Sequence, residues 1–173
     1  MLFRSPKKLS ETINCDVKEA KELIAKYFKA FPKIQSFLDR LGEFGKKHGY
    51  IETFPPFKRK RWFTSWTPKM YNDRDSFMEL GSIERASKNT PIQGSSADMT
   101  KLALVLLHRH IKKENLPVKI VMTVHDQIDT ICPKDYADEW KTKMTDIMEQ
   151  AANIIIKNGL LKAETTITNV WSK

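Results

Sequence analysis

Residues 118 to 132 read VKIVMTVHDQIDTIC. Side chains branched at Cβ dominate, with Val118, Ile120, Met122 and Val124 at every second position, which predicts a strand carrying those four on one face. Ile128, Thr130 and Cys132 resume the alternation after a polar break. The break itself, His125, Asp126 and Gln127, predicts the turn of a β-hairpin. A carboxylate at a hairpin tip is held by rigid flanking strands yet projects into open space, as a magnesium ion shared with a phosphate requires. On these residues alone Asp126 reads either as a solvated, turn-forming aspartate or as a metal ligand.

Working outward, Pro91 suits a first helical turn, and Met99, Leu102, Ala103, Leu106, Leu107 and Ile111 follow at helical spacing. This predicts a helix beginning near Pro91 whose apolar stripe packs on the sheet. On the other side, Tyr136, Trp140, Met144, Ile147, Met148, Ala151 and Ile155 predict a long helix after Pro133, ending at Asn158 and Gly159. Its Met and aromatic stripe reads as core. A final strand is expected at about 163–170. Nearer the N-terminus, Val17, Ala20, Leu23, Ile24, Tyr27, Phe28 and Phe31 repeat at three and four residues, and Asp16 with Glu19 has capping-box spacing. Pro32 interrupts this helix, after which Ile34, Phe37, Leu38, Leu41 and Phe44 continue a second one to the Lys46–Gly49 stretch. Residues 50 to 63, YIETFPPFKRKRWF, suit a short hairpin or loop, and residues 64 to 82 read as an irregular connection.

The chain has 173 residues, enough for one compact domain or two small subdomains. Its 30 Lys plus Arg against 21 Asp plus Glu leave a formal charge of +9. That excess fits either a polyanionic partner or a solvated basic surface. Two cysteines, Cys15 and Cys132, with no CxxC pair and no histidine cluster, indicate neither a zinc site nor a disulfide framework. The opening MLFRSPKKLSE lacks the apolar core of a signal peptide, and no run of 18 apolar residues occurs. The expectation is a soluble, cytoplasmic protein without a membrane partner.

The string from Glu84 to Asp98, ERASKNTPIQGSSAD, followed downstream by Val124, His125 and Asp126, resembles the palm of family A DNA polymerases, the bacterial DNA polymerase I group. Gly49, Tyr50, Ile51, Glu52 and Thr53 before the basic cluster are similar to the segment leading into that palm, and Asn169, Val170 and Trp171 resemble the family's C-terminal Asn-Trp. The resemblance implies an α+β fold: a small antiparallel, palm-like sheet with a motif C hairpin, backed by long helices and preceded by a helical remnant of the fingers. Residues 1–80 would be fingers-derived and carry the basic hairpin, with residues 81–173 the C-terminal part of the palm.

The implied activity is template-directed addition of deoxynucleoside triphosphates to a primer 3′ end by two-metal phosphoryl transfer during DNA replication. Asp126 would be the motif C carboxylate that helps hold two magnesium ions, and His125 would lie beside the primer terminus; a packed turn histidine is the alternative. Arg85, Asn89 and Gln93 would face the primer–template duplex, where amide donors meet minor-groove acceptors shared by every base pair. Their spacing of four gives one helix face only in part, because Pro91 implies a boundary or kink, and Asn89 and Gln93 also suit helix capping. Asp98, inside the helix, reads as a structural partner. Lys58, Arg59, Lys60 and Arg61, set among Phe57, Trp62 and Phe63, read as a phosphate-tracking hairpin or a nuclear-import signal.

The sequence departs from the family in two ways. Motifs A and B, which carry the other catalytic aspartate and the nucleotide-gripping lysine and tyrosine, are absent, so the chain reads either as the downstream product of a split gene, as in a phage acting in a bacterial host, with a second polymerase chain carrying those motifs, or as an excised fragment. Gln127 stands where the family has Glu, keeping a hydrogen-bonding group but losing a charge. Pro55, Pro56 and Phe57 also differ from the glycine and arginine pattern of relatives. A noncatalytic DNA-binding remnant is the alternative from another class. A single-subunit RNA polymerase is disfavoured by NTPIQGSSAD.

Overall fold

The structure, a computed structural model, describes residues 6–157 and 159–171. They form two compact units, one running to Thr53 and from Arg59 to Ile92, the other comprising Phe54–Lys58 and the residues from Gln93 onward.

The first unit opens with a short helix, α1 (Pro6–Ile13), that the sequence reading missed, packed on α2 (Val17–Ala30). The expected capping box at Asp16 does not form. The Asp16 carbonyl accepts the first intrahelical bond from Ala20 at 2.9 Å, but its side chain makes no cap bond, leaving water to satisfy the exposed N–H groups. Phe31 ends α2 and begins α3 (Pro32–His48), with Pro32 in the first turn, where its missing N–H costs nothing. Lys46 and Lys47 place cations at the negative end of α3, and Gly49 closes it at φ 73°. Trp66 covers that glycine so closely that a Cβ would lie 2.4 Å from the indole. The indole N–H donates to the Lys46 carbonyl at 2.7 Å, satisfying one of the helix's last free acceptors. Strands β1 (Tyr50–Glu52) and β2 (Lys60–Trp62) then pair antiparallel, so residues 50–63 do form a hairpin.

Helix α4 (Phe77–Lys113) corrects the expectation of a helix starting near Pro91: it begins fourteen residues earlier and runs through the proline. Residues 77–82, read as irregular connection, belong to it. The proline removes the N–H that would bond the Ser87 carbonyl. Packing overrides that loss, since Pro91 and Ser87 are among the most fully buried side chains in the molecule. Gly42 and Gly45 of α3 let α4 come close; a Cβ on Gly45 would sit 1.8 Å from Ser87 Oγ.

In the second unit, Ala103 and Leu107 of α4, Val118, Ile128 of the hairpin, and Trp140, Met144 and Ala151 of α5 (Ala137–Ile155) make one core. The stripe on α5 is thus core, as read. Trp140 Nε1 donates to Thr130 Oγ1 at 2.8 Å, tying α5 to the sheet. Strands β3 (Lys119–Val124) and β4 (Gln127–Ile131) form the predicted hairpin, but the alternation along β3 is broken. Ile120 pairs with Thr130 and Met122 with Asp129, leaving Val121 as the extra residue of a bulge. Paired residues share a face, so Ile120 stays on the core side with Thr130, whereas Met122 and Val124 turn to the opposite side. Met122 is accordingly 39% exposed. The expected single apolar face is corrected to two.

The strand expected at 163–170 is absent. Among the described residues this segment pairs with no strand, and side chains hold it to α5 instead. Glu149 accepts from the Ala163 N–H at 3.2 Å and Lys162 Nζ at 2.9 Å, and Thr145 shares a hydrogen bond with Thr165. The long helix ends at Ile155 rather than at Asn158, which lies outside the described residues; Gly159 takes φ 63°. Among the described residues no helix is long and apolar enough to cross a membrane.

Candidate nucleic-acid interface and hairpin turn

The β3–β4 connection is a two-residue turn made by His125 and Asp126. His125 has φ 55° and Asp126 is not in the positive region, the φ pattern of a II′ hairpin turn, whose twist matches the flanking strands. Glycine is the usual residue at the first position, so an imidazole there is held against backbone preference by the hairpin around it. Both side chains are exposed. Asp126 therefore presents its carboxylate to solvent at the end of two paired strands.

No group of three or more His, Cys, Asp or Glu side chains among the described residues is arranged to hold a metal ion. One exposed carboxylate fits a single ligand position of a site completed by other residues.

Beside the turn, Gln127 Nε2 donates to Asp129 Oδ1 at 2.7 Å, and Asp129 Oδ2 is buried without a partner. Sequence reasoning missed Asp129. The available signal was its position two residues after Gln127, which in a strand puts both on one face.

Arg85, Asn89 and Gln93 all lie within α4, whose continuity removes the boundary expected at Pro91. Arg85 and Gln93 are exposed. Asn89 is half-buried and donates to the Arg85 carbonyl at 3.1 Å within the helix, capping no helix start. Asp98 is buried, 5% exposed.

The four basic residues 58–61 are exposed. Lys58 has φ 45° in the loop before β2. Lys60 Nζ lies 3.8 Å from Glu52 and 4.6 Å from the centre of the Tyr50 ring. Arg61 Nη1 donates to Thr90 Oγ1 at 3.0 Å, with its guanidinium over Phe63. Arg61, Trp62 and Phe63 also line an open groove of about 300 Å³ with Glu79, Ser82, Ile83 and Ala86 of α4.

Residues 4–173 match the profile of DNA polymerase family A. DNA polymerase I of Bacillus caldotenax is 31% identical over 163 residues, covering 94% of this chain and 17% of that protein. The thermostable DNA polymerase I of Thermus filiformis is 33% identical over 167 residues, 96% of this chain and 18% of that protein. Among solved structures, the POL domain of Pol1 from M. smegmatis, in complex with DNA primer-template and dNTP, superposes with a TM-score of 0.72 at 25% identity, over 87% of this chain and 25% of that one. The chain thus spans less than a fifth of the two curated relatives' length. With helices packed on small antiparallel hairpins, the α+β architecture of a polymerase part, and a match that runs almost end to end, the chain belongs to DNA polymerase family A.

Proposed function

We propose that this chain supplies the C-terminal part of a DNA-directed DNA polymerase, with residues 1–80 a fingers-derived region and residues 81–173 part of the palm. The observation that carries the reading is Asp126, exposed in a two-residue turn at the end of a paired hairpin. In this reading Asp126 contributes one carboxylate to a magnesium site completed by motif A. His125, adjacent in the turn, steadies the last sugar and base of the primer. Arg85, Asn89 and Gln93 hold the primer–template duplex, and the cations at 58–61 contact phosphates without regard to sequence.

The reaction joins the primer 3′ oxygen to the α-phosphorus of a deoxynucleoside triphosphate. The bond from that phosphorus to the bridging oxygen breaks, pyrophosphate leaves, and the hydroxyl proton passes to solvent. Bound magnesium would supply charge stabilisation for the displacement. Motifs A and B do not lie within these 173 residues; in this reading they complete the site, and a split polymerase acting in a bacterial host is the arrangement put to the test below.

The test is primer extension by this chain combined with a polypeptide carrying motifs A and B. Asp126→Asn should reduce extension to background while leaving association with that polypeptide intact. Undiminished extension overturns the catalytic assignment. A steeply salt-dependent duplex affinity with no extension under any pairing favours instead a noncatalytic DNA-binding remnant.

A further inference from the structure

Four rings form a continuous ladder on the first unit. Phe44 and His48, one turn apart on α3, lie 4.4 Å from each other. The left-handed Gly49 reverses the chain and brings Tyr50 edge-on to Phe44 at 5.3 Å. The β1–β2 register then sets Trp62 directly opposite Tyr50, with ring centres 4.9 Å apart. Lys60 lies 4.6 Å from the centre of the Tyr50 ring and 5.5 Å from that of Trp62.

A ladder that merely sealed the hairpin to α3 would bury its last ring. Trp62 is instead 63% exposed and Phe44 37%, so π-surface is left facing water beside cations. Nearby acids are engaged: Glu43 bonds Tyr71 at 2.6 Å and Lys46 at 2.9 Å, and Glu52 lies within ion-pair distance of Lys60. Lys47 and Arg59 add exposed positive charge to the same segments.

Open aromatic faces among cations suit a polyanion whose bases are unstacked. Duplex DNA hides the faces of its bases within the helix except at its end pairs, so along its length only unpaired nucleotides can use such a surface. We infer that the Phe44–His48–Tyr50–Trp62 ladder, with Lys60, is a stacking platform for single-stranded DNA. Proposed function enters only in the choice of DNA, the template beyond the primer being the natural single strand; the stacking argument does not depend on Asp126.

The experiment measures binding of a labelled oligothymidylate and of a blunt duplex to the 173-residue chain at several salt concentrations. Trp62→Ala should weaken single-strand binding about 5- to 100-fold, as loss of one base–ring stack does, and leave duplex binding unchanged. Trp62→Phe should retain most of the affinity. Trp62→Ala should not alter the salt slope, whereas Lys60→Ala should flatten it. Single-strand affinity unchanged in Trp62→Ala, or an equal loss on the blunt duplex, overturns the inference. Loss of extension in Asp126→Asn with stacking intact, or the reverse, separates this inference from the catalytic reading.

Discussion

Gln127 and Asp129 are bonded side chain to side chain, amide to carboxylate, at 2.7 Å along one face of β4. A glutamate at position 127 would therefore be the wrong partner for Asp129 in this chain. Gln127→Glu would exchange a hydrogen bond for two facing carboxylates, one already with a buried oxygen lacking a partner. The expected loss is about 1–3 kcal/mol at neutral pH, read by urea unfolding. Adding Asp129→Asn should restore most of it; equal stability of Gln127→Glu and the parent would show that the bond is not maintained in solution.

Close approach of α3 and α4 makes a second prediction. Gly45→Ala gains about 1 kcal/mol of helix propensity, but its methyl would overlap Ser87 Oγ, an overpacking that costs about 1–3 kcal/mol. A net fall in melting temperature is expected. Ser87→Ala, which removes a buried hydroxyl with no hydrogen-bond partner, should leave the melting temperature equal or higher.

The Trp140–Thr130 bond predicts an asymmetry between two core variants. Thr130→Val keeps volume but strands the buried indole N–H, at about 1–3 kcal/mol. Trp140→Ala also opens a cavity among Leu107, Ile128 and Met144, at about 3–5 kcal/mol. Chemical denaturation of both variants orders them; a Thr130→Val chain as stable as the parent would show that the indole finds another acceptor.

Acid sensitivity should trace to Glu84. The bond from Lys88 at 2.7 Å holds its carboxyl below the ordinary value, while burial alone would push it up. A depressed carboxylate stabilises the fold above its unfolded pKa, about 4.3, and the contribution disappears as pH falls through the lower folded value. Burial lowers the pKa of Lys88, but its bonds to Glu84 and Asp39 outweigh that and raise it. Its contribution is present below about pH 10.4 and lost as pH rises through the raised value. With Glu84 about a third exposed, each effect is at most about 1 kcal/mol. Glu84→Gln should flatten the acid limb of a stability–pH curve.

Legibility in the sequence followed the range of the interactions. The hairpin at 118–132 and the stripe on α5 were readable because each is a local pattern of side chains that either face the core or do not. Pro91 misled because a proline normally begins a helix, and the packing that lets α4 continue through it belongs to other segments. The Val121 bulge left no mark in the alternation, since Met122 and Val124 are apolar whichever way they face. Residues 163–170 have strand-like composition, but contacts from Glu149 and Thr145 hold them along α5. At the candidate site, the turn at His125 and Asp126 was visible as a polar break, whereas the Gln127–Asp129 bond and the ring ladder needed strand register to appear.

Among the described residues β3 has no neighbour on its outer side, leaving a row of backbone donors and acceptors that another copy could copy onto itself. The supernumerary Val121 interrupts that row. An intruding strand would find regular spacing only over residues 119–120 and again over 122–124, two stretches too short to nucleate a fibril. One inserted residue thereby breaks up the regular template that the β3 edge would otherwise offer.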